Sequence, residues 1–469
     1  MSVVATKSGG RRQTDMPSGH PLDIKSAFSI VGCEFGPMRV PRVFRFPKYP
    51  SLHDTDRQGK GPAMNMMHRH GIIAAVVAAS LGMTLAACST SGAGTLSSEV
   101  TGDVTVSDAS ATSTTSTISG DGAIDTSDLF TDRDLEQTAD LEGATYYTVT
   151  SGEDIQISET GVYVISGTAS DVTITINAAD DAKVQIVLDG VSITNADAPA
   201  IYVVSADKTF VTTMSGSTNT LEVTGTFAAV GDTNTDAVIF SKDDLVLNGE
   251  GTLSITSTAN GVSCKDDLTI TGGTYSVSST EDAFEANDSI AIAGGTFSID
   301  TDKDGFHCEN DEDDTVGFVY VCGGSFDISA SDDGIQATTV AQIDGGSFAI
   351  TASEGIEGTF VQINGGTIDI SASDDGINAA AKSAALDVVI EFNGGDTTIV
   401  MGSGDTDAVD ANGSIYVNDG TISITGSSAF DYDVTGELNG GTVTVNGSQI
   451  TEMTTQMMGR GAVGAMTRG

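Results

Sequence analysis

The sequence predicts an all-β fold: a single-stranded parallel β-helix solenoid in coils of about 20–22 residues. The first reason is the period. Between Asp243 and Val445 the closing glycine of a recurring turn falls at 251, 273, 295, 324, 346, 366, 395, 420 and 441. The spacings are 22, 22, 29, 22, 20, 29, 25 and 21, long enough for one coil and far too short for a domain. The second reason is the alternation. In Ile270–Val277 (ITGGTYSV), Ile292–Ile299 (IAGGTFSI), Val321–Ile328 (VCGGSFDI), Ile343–Ile350 (IDGGSFAI) and Ile363–Ile370 (INGGTIDI), apolar and small polar residues alternate with period two, as in strands covered on one face. The third is that no helical periodicity of ten residues occurs in the repeat, which argues against leucine-rich and helical solenoids. Parallel crossovers are nearly always right-handed, so a right-handed winding is expected.

The chain has 469 residues and a formal charge of −45, but the charge is uneven. Residues 1–70 hold 11 of the 20 Lys and Arg, whereas 60 of the 65 acids follow Cys88. The later part should repel nucleic acid and anionic lipid and attract cations. Residues 64–88 read as a secretion signal, with a basic start at Arg69 and an apolar run from Ile72 that is short for a membrane span. Leu85-Ala86-Ala87-Cys88 resembles a bacterial lipobox, making Cys88 the lipidation site and the outer face of a bacterial membrane the expected location. The alternative is an ordinary signal peptide with a chance Cys. On the lipobox reading, residues 1–63 are a mis-assigned upstream extension without structure.

Residues 89–127, rich in Ser, Thr and Gly, are expected to be a flexible linker. Residues 128–450 are the expected solenoid domain. Asp128 to Leu141 is expected to form a short helix that caps the first coil. Strands are expected at Tyr146–Val149, Val162–Ile165, Val172–Ile176 and Val184–Leu188, as irregular first coils of the same solenoid. Residues 451–469 are expected to be a disordered tail. Cys264 and Cys308 share a small-residue column two coils apart, about 9–10 Å at strand spacing and too far for a disulfide. A Cys308–Cys322 pair stays open at this level.

The second half of each repeat carries the chemistry. It reads DAFEA (282–286), DGFHC (304–308), DGIQA (333–337), EGIEG (354–358) and DGINA (375–379). Aligned, one column is Asn260, Asp282, Asp304, Asp333, Glu354, Asp375 and Asp407, with Asp332 and Asp374 among the acids beside it. Three residues on, a second column is Ser263, Glu285, His307, Gln336, Glu357, Asn378, Asp410 and Asp431. Carboxylates stacked at about 4.8 Å repel by roughly 3–4 kcal/mol at an effective dielectric near 20. Cations, protonation or solvation must relieve that. Oxygen ligands in a glycine-rich setting fit Ca2+ better than zinc or magnesium. The expected metal ligands are Asp282, Asp304, Asp332, Asp333, Glu354, Glu357, Asp374 and Asp375. Glu285, His307, Gln336, Glu357 and Asn378 are the expected carbohydrate contacts. The competing reading is a solvated acidic face, or Asp side chains bonded to their own turn amides. The run Glu309–Asp314 is expected to be a solvated loop.

The GGTxxI strands together with DDGINA (374–379) and SEGIEG (353–358) resemble a bacterial secreted carbohydrate-binding domain family, the cellulose- and polygalacturonate-binding parallel β-helix type. VQIVLDGVSITN (184–195), AIYV (200–203), STNTL (217–221) and SKDDLVLNGEGTL (241–253) extend the likeness over roughly residues 145–445. The resemblance implies a calcium-binding right-handed β-helix that holds plant polysaccharide without hydrolysing it, in a fold similar to pectate lyases. By position it implies roles for Asp282, Asp304, Asp333, Glu354, Glu357 and Asp375. Asn260 and Ala283 depart from the pattern, which weakens the metal expectation in the first coils. The function expected is a lipid-anchored, non-catalytic, calcium-dependent polysaccharide binder, monomeric, taking a uronate polymer or cellulose. One alternative is a pectate-type lyase, for which Lys303 and His307 would be the catalytic pair. A surface adhesin or scaffold with a protein partner is the other.

Overall fold

The computed structural model describes residues 118, 122, 124–310, 312–404 and 406–454. The expected signal peptide, Cys88, most of the linker and the last residues of the tail lie outside them. The described chain is all-β, and its strands stack coil upon coil in parallel register.

Each regular coil has three strands. One coil runs Asn260–Cys264, Asp267–Ile270 and Thr274–Ser279, and the next repeats it as Phe284–Ala286, Ser289–Ile292 and Thr296–Thr301. Strands such as the first of these form a sheet of twelve, the DGI face. The other two faces merge into one 24-stranded sheet, because the 13-residue strand Lys183–Asn195 pairs along its length with Lys208–Thr213 and then Thr218–Val223. The first coils belong to this stack: Thr145–Thr148 pairs with Gly161–Ser170, which pairs with Lys183–Asn195.

The register explains the repeat. Tyr275, Phe297, Phe326 and Phe348 occupy one inward position, and their rings stack at 5.3, 4.7 and 4.4 Å. Phe284 and Phe306 stack at 5.0 Å from the DGI side. The small-residue column is confirmed, since Cys264 pairs with Ala286 and Ala286 with Cys308. Cys264 and Cys308 are buried reduced thiols, so Cys308 makes no bridge. Two glycine positions are fixed by geometry. Gly346 closes its turn at φ +105°, a region that L side chains avoid. A Cβ on Gly305 would lie 2.6 Å from the Gly334 carbonyl of the next coil. The Asp-Gly pair is therefore partly a packing requirement.

The expected helical cap does not form. Residues 128–141 are turns and extended chain, and no helix occurs among the described residues. The segment lies along the side of the solenoid as a strap across several coils. Ile118, Ile124, Leu129 and Phe130 pack with Phe318, Tyr320, Val340 and Phe360. Farther along, the Arg133 guanidinium sits 4.3 Å over the Phe210 ring. Asn248 Nδ2 donates to the Glu136 carbonyl, and Gln137 Oε1 accepts from the Gly249 amide. The physical reason is visible in Phe318–Val321 (FVYV), which is apolar on both faces. A strand buried on both faces needs an outer cover. Ile118 and Ile124 lie inside the stretch expected to be linker, and they belong to this cover. At the other end Thr442–Val445 turns back as an antiparallel hairpin with Ser448–Ile450, and Met453 is buried in the core.

Candidate functional site

The DGI face brings the expected residues together. Ser263, Glu285, His307, Gln336, Glu357, Asn378, Asp410 and Asp431 are paired in unbroken register. Beside them, Asp282, Asp304 and Asp333 are only 3, 3 and 4% exposed. These carboxylates line a buried seam of the solenoid.

One oxygen of most first-column residues has a structural task. Asn260 Oδ1 accepts from the Asp282 amide at 2.8 Å, Asp282 Oδ1 from Asp304 at 3.1 Å, and Asp304 Oδ1 from Asp333 at 2.7 Å. Asp375 Oδ1 does the same for Asp407 at 3.1 Å. Each side chain thus joins one coil to the next where the main-chain ladder turns a corner. Asn260 performs this task as well as Asp, which accounts for that departure.

The second oxygens meet donors from the second column. Protonated His307 donates Nδ1–H to Asp282 Oδ2 at 2.9 Å, lies 3.5 Å from Asp304 Oδ2, and reaches Glu309 Oε2 at 3.1 Å through Nε2. Burial opposes its charge, but the hydrogen bond to Asp282 and the neighbouring carboxylates win, and its pKa rises to about 9. Gln336, with its amide turned to suit its neighbours, donates to Asp304 Oδ2 and Asp333 Oδ2 at 3.2 Å each and accepts from Lys382 Nζ at 2.8 Å. Asn378 Nδ2 donates to Glu354 at 3.0 Å and Glu357 at 3.2 Å. Lys382 Nζ lies 2.6 Å from Glu357 Oε2, and Lys265 Nζ 2.9 Å from Glu285.

Three groups in this seam have ligand atoms within 4.8 Å of one another: Asp282–Asp304–His307, Asp304–Asp332–Asp333 and Asp333–Glu354–Glu357. They differ as cation sites. In the first, the His307 nitrogen already stands between the acids, and nitrogen suits calcium poorly. The other two are all-oxygen, share Asp333, and fit a hard cation. Burial first, then the charges of Asp304, Glu354 and Glu357, push the Asp333 carboxyl well up. Burial raises Glu354 to about 7, Asp375 to about 7 and Asp304 to about 6. Among the described residues, Asp374 and Asp375 join no such three-residue group. Lys303 is exposed, and His307 as a clamped cation is a poor base at neutral pH.

A fourth group, Asp244–Asp266–Asp267, was not among the expected ligands. It lies at the next corner, in a cavity of about 320 Å³ that the strap residues Asp128, Leu129 and Thr131 help to line. Burial raises Asp244 to about 6 and Asp266 to about 7, while Lys208 spans Asp134 and Asp244 at 3.7 Å from each. The repeated Lys-Asp-Asp-Leu at 242–245 and 265–268 was the signal in the sequence.

Fold and seam define a class: a parallel β-helix with an ordered row of carboxylates and amides along one face. The family model of carbohydrate-binding domain-containing proteins matches residues 151–429, so the chain belongs to that family. It is 42% identical over 196 residues to a carbohydrate-binding domain-containing protein of Acetivibrio thermocellus, covering 41% of this chain and 68% of the relative. A solved structure of a polysaccharide lyase-like protein from C. thermocellum, a gadolinium derivative, matches with a TM-score of 0.43 and 27% identity, over 45% of this chain and 93% of that one.

Proposed function

We propose that this protein is a non-catalytic, calcium-dependent polysaccharide binder, held on the outer face of a bacterial membrane by a lipid on Cys88. The observation that carries the reading is the pair of all-oxygen groups sharing Asp333, set within the span matched to the carbohydrate-binding family. Asp304, Asp332, Asp333, Glu354 and Glu357 would hold Ca2+, which when bound supplies a positive site for a polymer carboxylate. The solenoid is wound right-handed and acts as a monomer. Its substrate is a uronate polymer: an acidic face and an acidic sugar repel one another unless a cation lies between them. Cellulose, which has no carboxylate, is the second candidate, favoured by the exposed hydroxyls of strands such as Thr274–Ser279 and Thr367–Ala372.

The test is retention of the purified protein on insoluble polygalacturonate and on cellulose, with calcium and with EDTA. Retention on polygalacturonate that EDTA abolishes supports the reading. Retention unchanged in EDTA sinks the bridging cation, and release of unsaturated uronides would replace the binder with a lyase.

A further inference from the structure

The two 29-residue repeats carry their extra residues at the same corner, directly after the DGI strand. One insertion separates Phe306–Cys308 from Phe318–Val321, and the other separates Ile377–Ala379 from Val389–Phe392. They meet on the outside of the solenoid, where the Ala384 amide donates to Asp314 Oδ2 at 3.2 Å. The second loop is also pinned beneath, because Thr359 Oγ1 accepts from the amides of both Lys382 and Ser383 at 3.1 and 2.8 Å. So anchored, the loop delivers Lys382 into the seam. Its Nζ lies 2.6 Å from Glu357 Oε2 and 2.8 Å from the Gln336 amide oxygen.

We infer that Lys382 is a tethered competitor for the cation site: its ammonium and a divalent ion are alternative occupants of Glu357 in the Asp333–Glu354–Glu357 group. The inference rests on the calcium reading above and names the residue that sets the ion's affinity. Calcium sits about 2.3–2.6 Å from a carboxylate oxygen, and the ammonium already lies at hydrogen-bonding distance from the same carboxylate. Two cations at that separation repel in a half-buried seam, so the ion enters as Lys382 leaves. Without the ion, the ammonium keeps the stacked acids together. The cost of displacing it raises the free calcium concentration at which the site fills.

Calcium titration of the full protein by calorimetry, alongside thermal unfolding, decides this for wild type, Lys382→Met and Lys382→Arg. Lys382→Met should bind calcium at least tenfold more tightly, melt at a lower temperature without calcium, and show a larger calcium-induced shift. Lys382→Arg keeps the charge and should stay within about threefold of wild type. Equal or weaker binding by Lys382→Met, with wild type still binding, overturns the competitor and leaves the calcium reading intact. No binding by any of the three overturns the calcium reading and this inference with it.

Discussion

The two ends of the acidic seam share one repeat and solve the same electrostatic problem differently. At the early end, His307 comes from the strand itself and is wedged between Asp282 and Asp304, so the chain supplies its own cation. At the later end, Asp333, Glu354 and Glu357 have amides from Gln336 and Asn378, and the nearest ammonium arrives on a loop. The first end takes its cation from its own strand, whereas the second takes one from a loop outside the repeat. Elsewhere on the solenoid, Asn364, Asn393, Asn418 and Asn439 show what stacking requires. Asn393, Asn418 and Asn439 each donate Nδ2–H to the amide oxygen of the Asn one coil earlier at 2.8–3.0 Å, a ladder open to side chains that both donate and accept. Carboxylates only accept, so their column must borrow donors or cations.

The comparison can be broken most forcefully at the early end. Asp282→Asn removes the principal partner of a buried histidinium and should cost about 3 kcal/mol of stability, read by denaturant unfolding. Calcium affinity should stay within about twofold of wild type, and a large calcium defect would show that the two ends are one site.

Asp333→Asn tests the later end, since that residue belongs to both all-oxygen groups. It should weaken calcium binding about a hundredfold, roughly 2.7 kcal/mol. An unchanged calcium-induced melting shift would remove Asp333 as a ligand.

A smaller effect sharpens the contrast through pH. Glu354 is raised to about 7 in the folded protein and titrates near 4.3 when unfolded. The folded state therefore holds more protons between those values, and in EDTA stability should fall as pH rises from about 4 to about 7. His307 works in a later window: its stabilisation is complete below about 6.5 and lost as pH rises through about 9. Calcium needs the ionised carboxylates, so its melting shift should grow between pH 5 and 8. A calcium shift independent of pH in Asp282→Asn and wild type alike would remove the raised carboxyls from the site.

By itself the sequence determined the solenoid, its coil length and the membership of both columns, because a parallel stack copies the repeat directly into space. Gly-Gly turns, inward Phe and Ile, and the Asp-Gly-Ile strands each appear where their period put them. It also marked Asp304, Asp333, Glu354 and Glu357 as neighbours. Only the tertiary structure decided how their charges are met. Lys382 reaches Glu357 and Gln336 from an insertion outside the repeat, so no column alignment could place it. The strap was hidden for a similar reason. Ile118 and residues 124–141 have too little periodicity to announce a partner, and they found one in the doubly apolar strands of distant coils. Local pattern sets which side chains stack, while contacts between non-repeating segments set how the charges of those stacks are met.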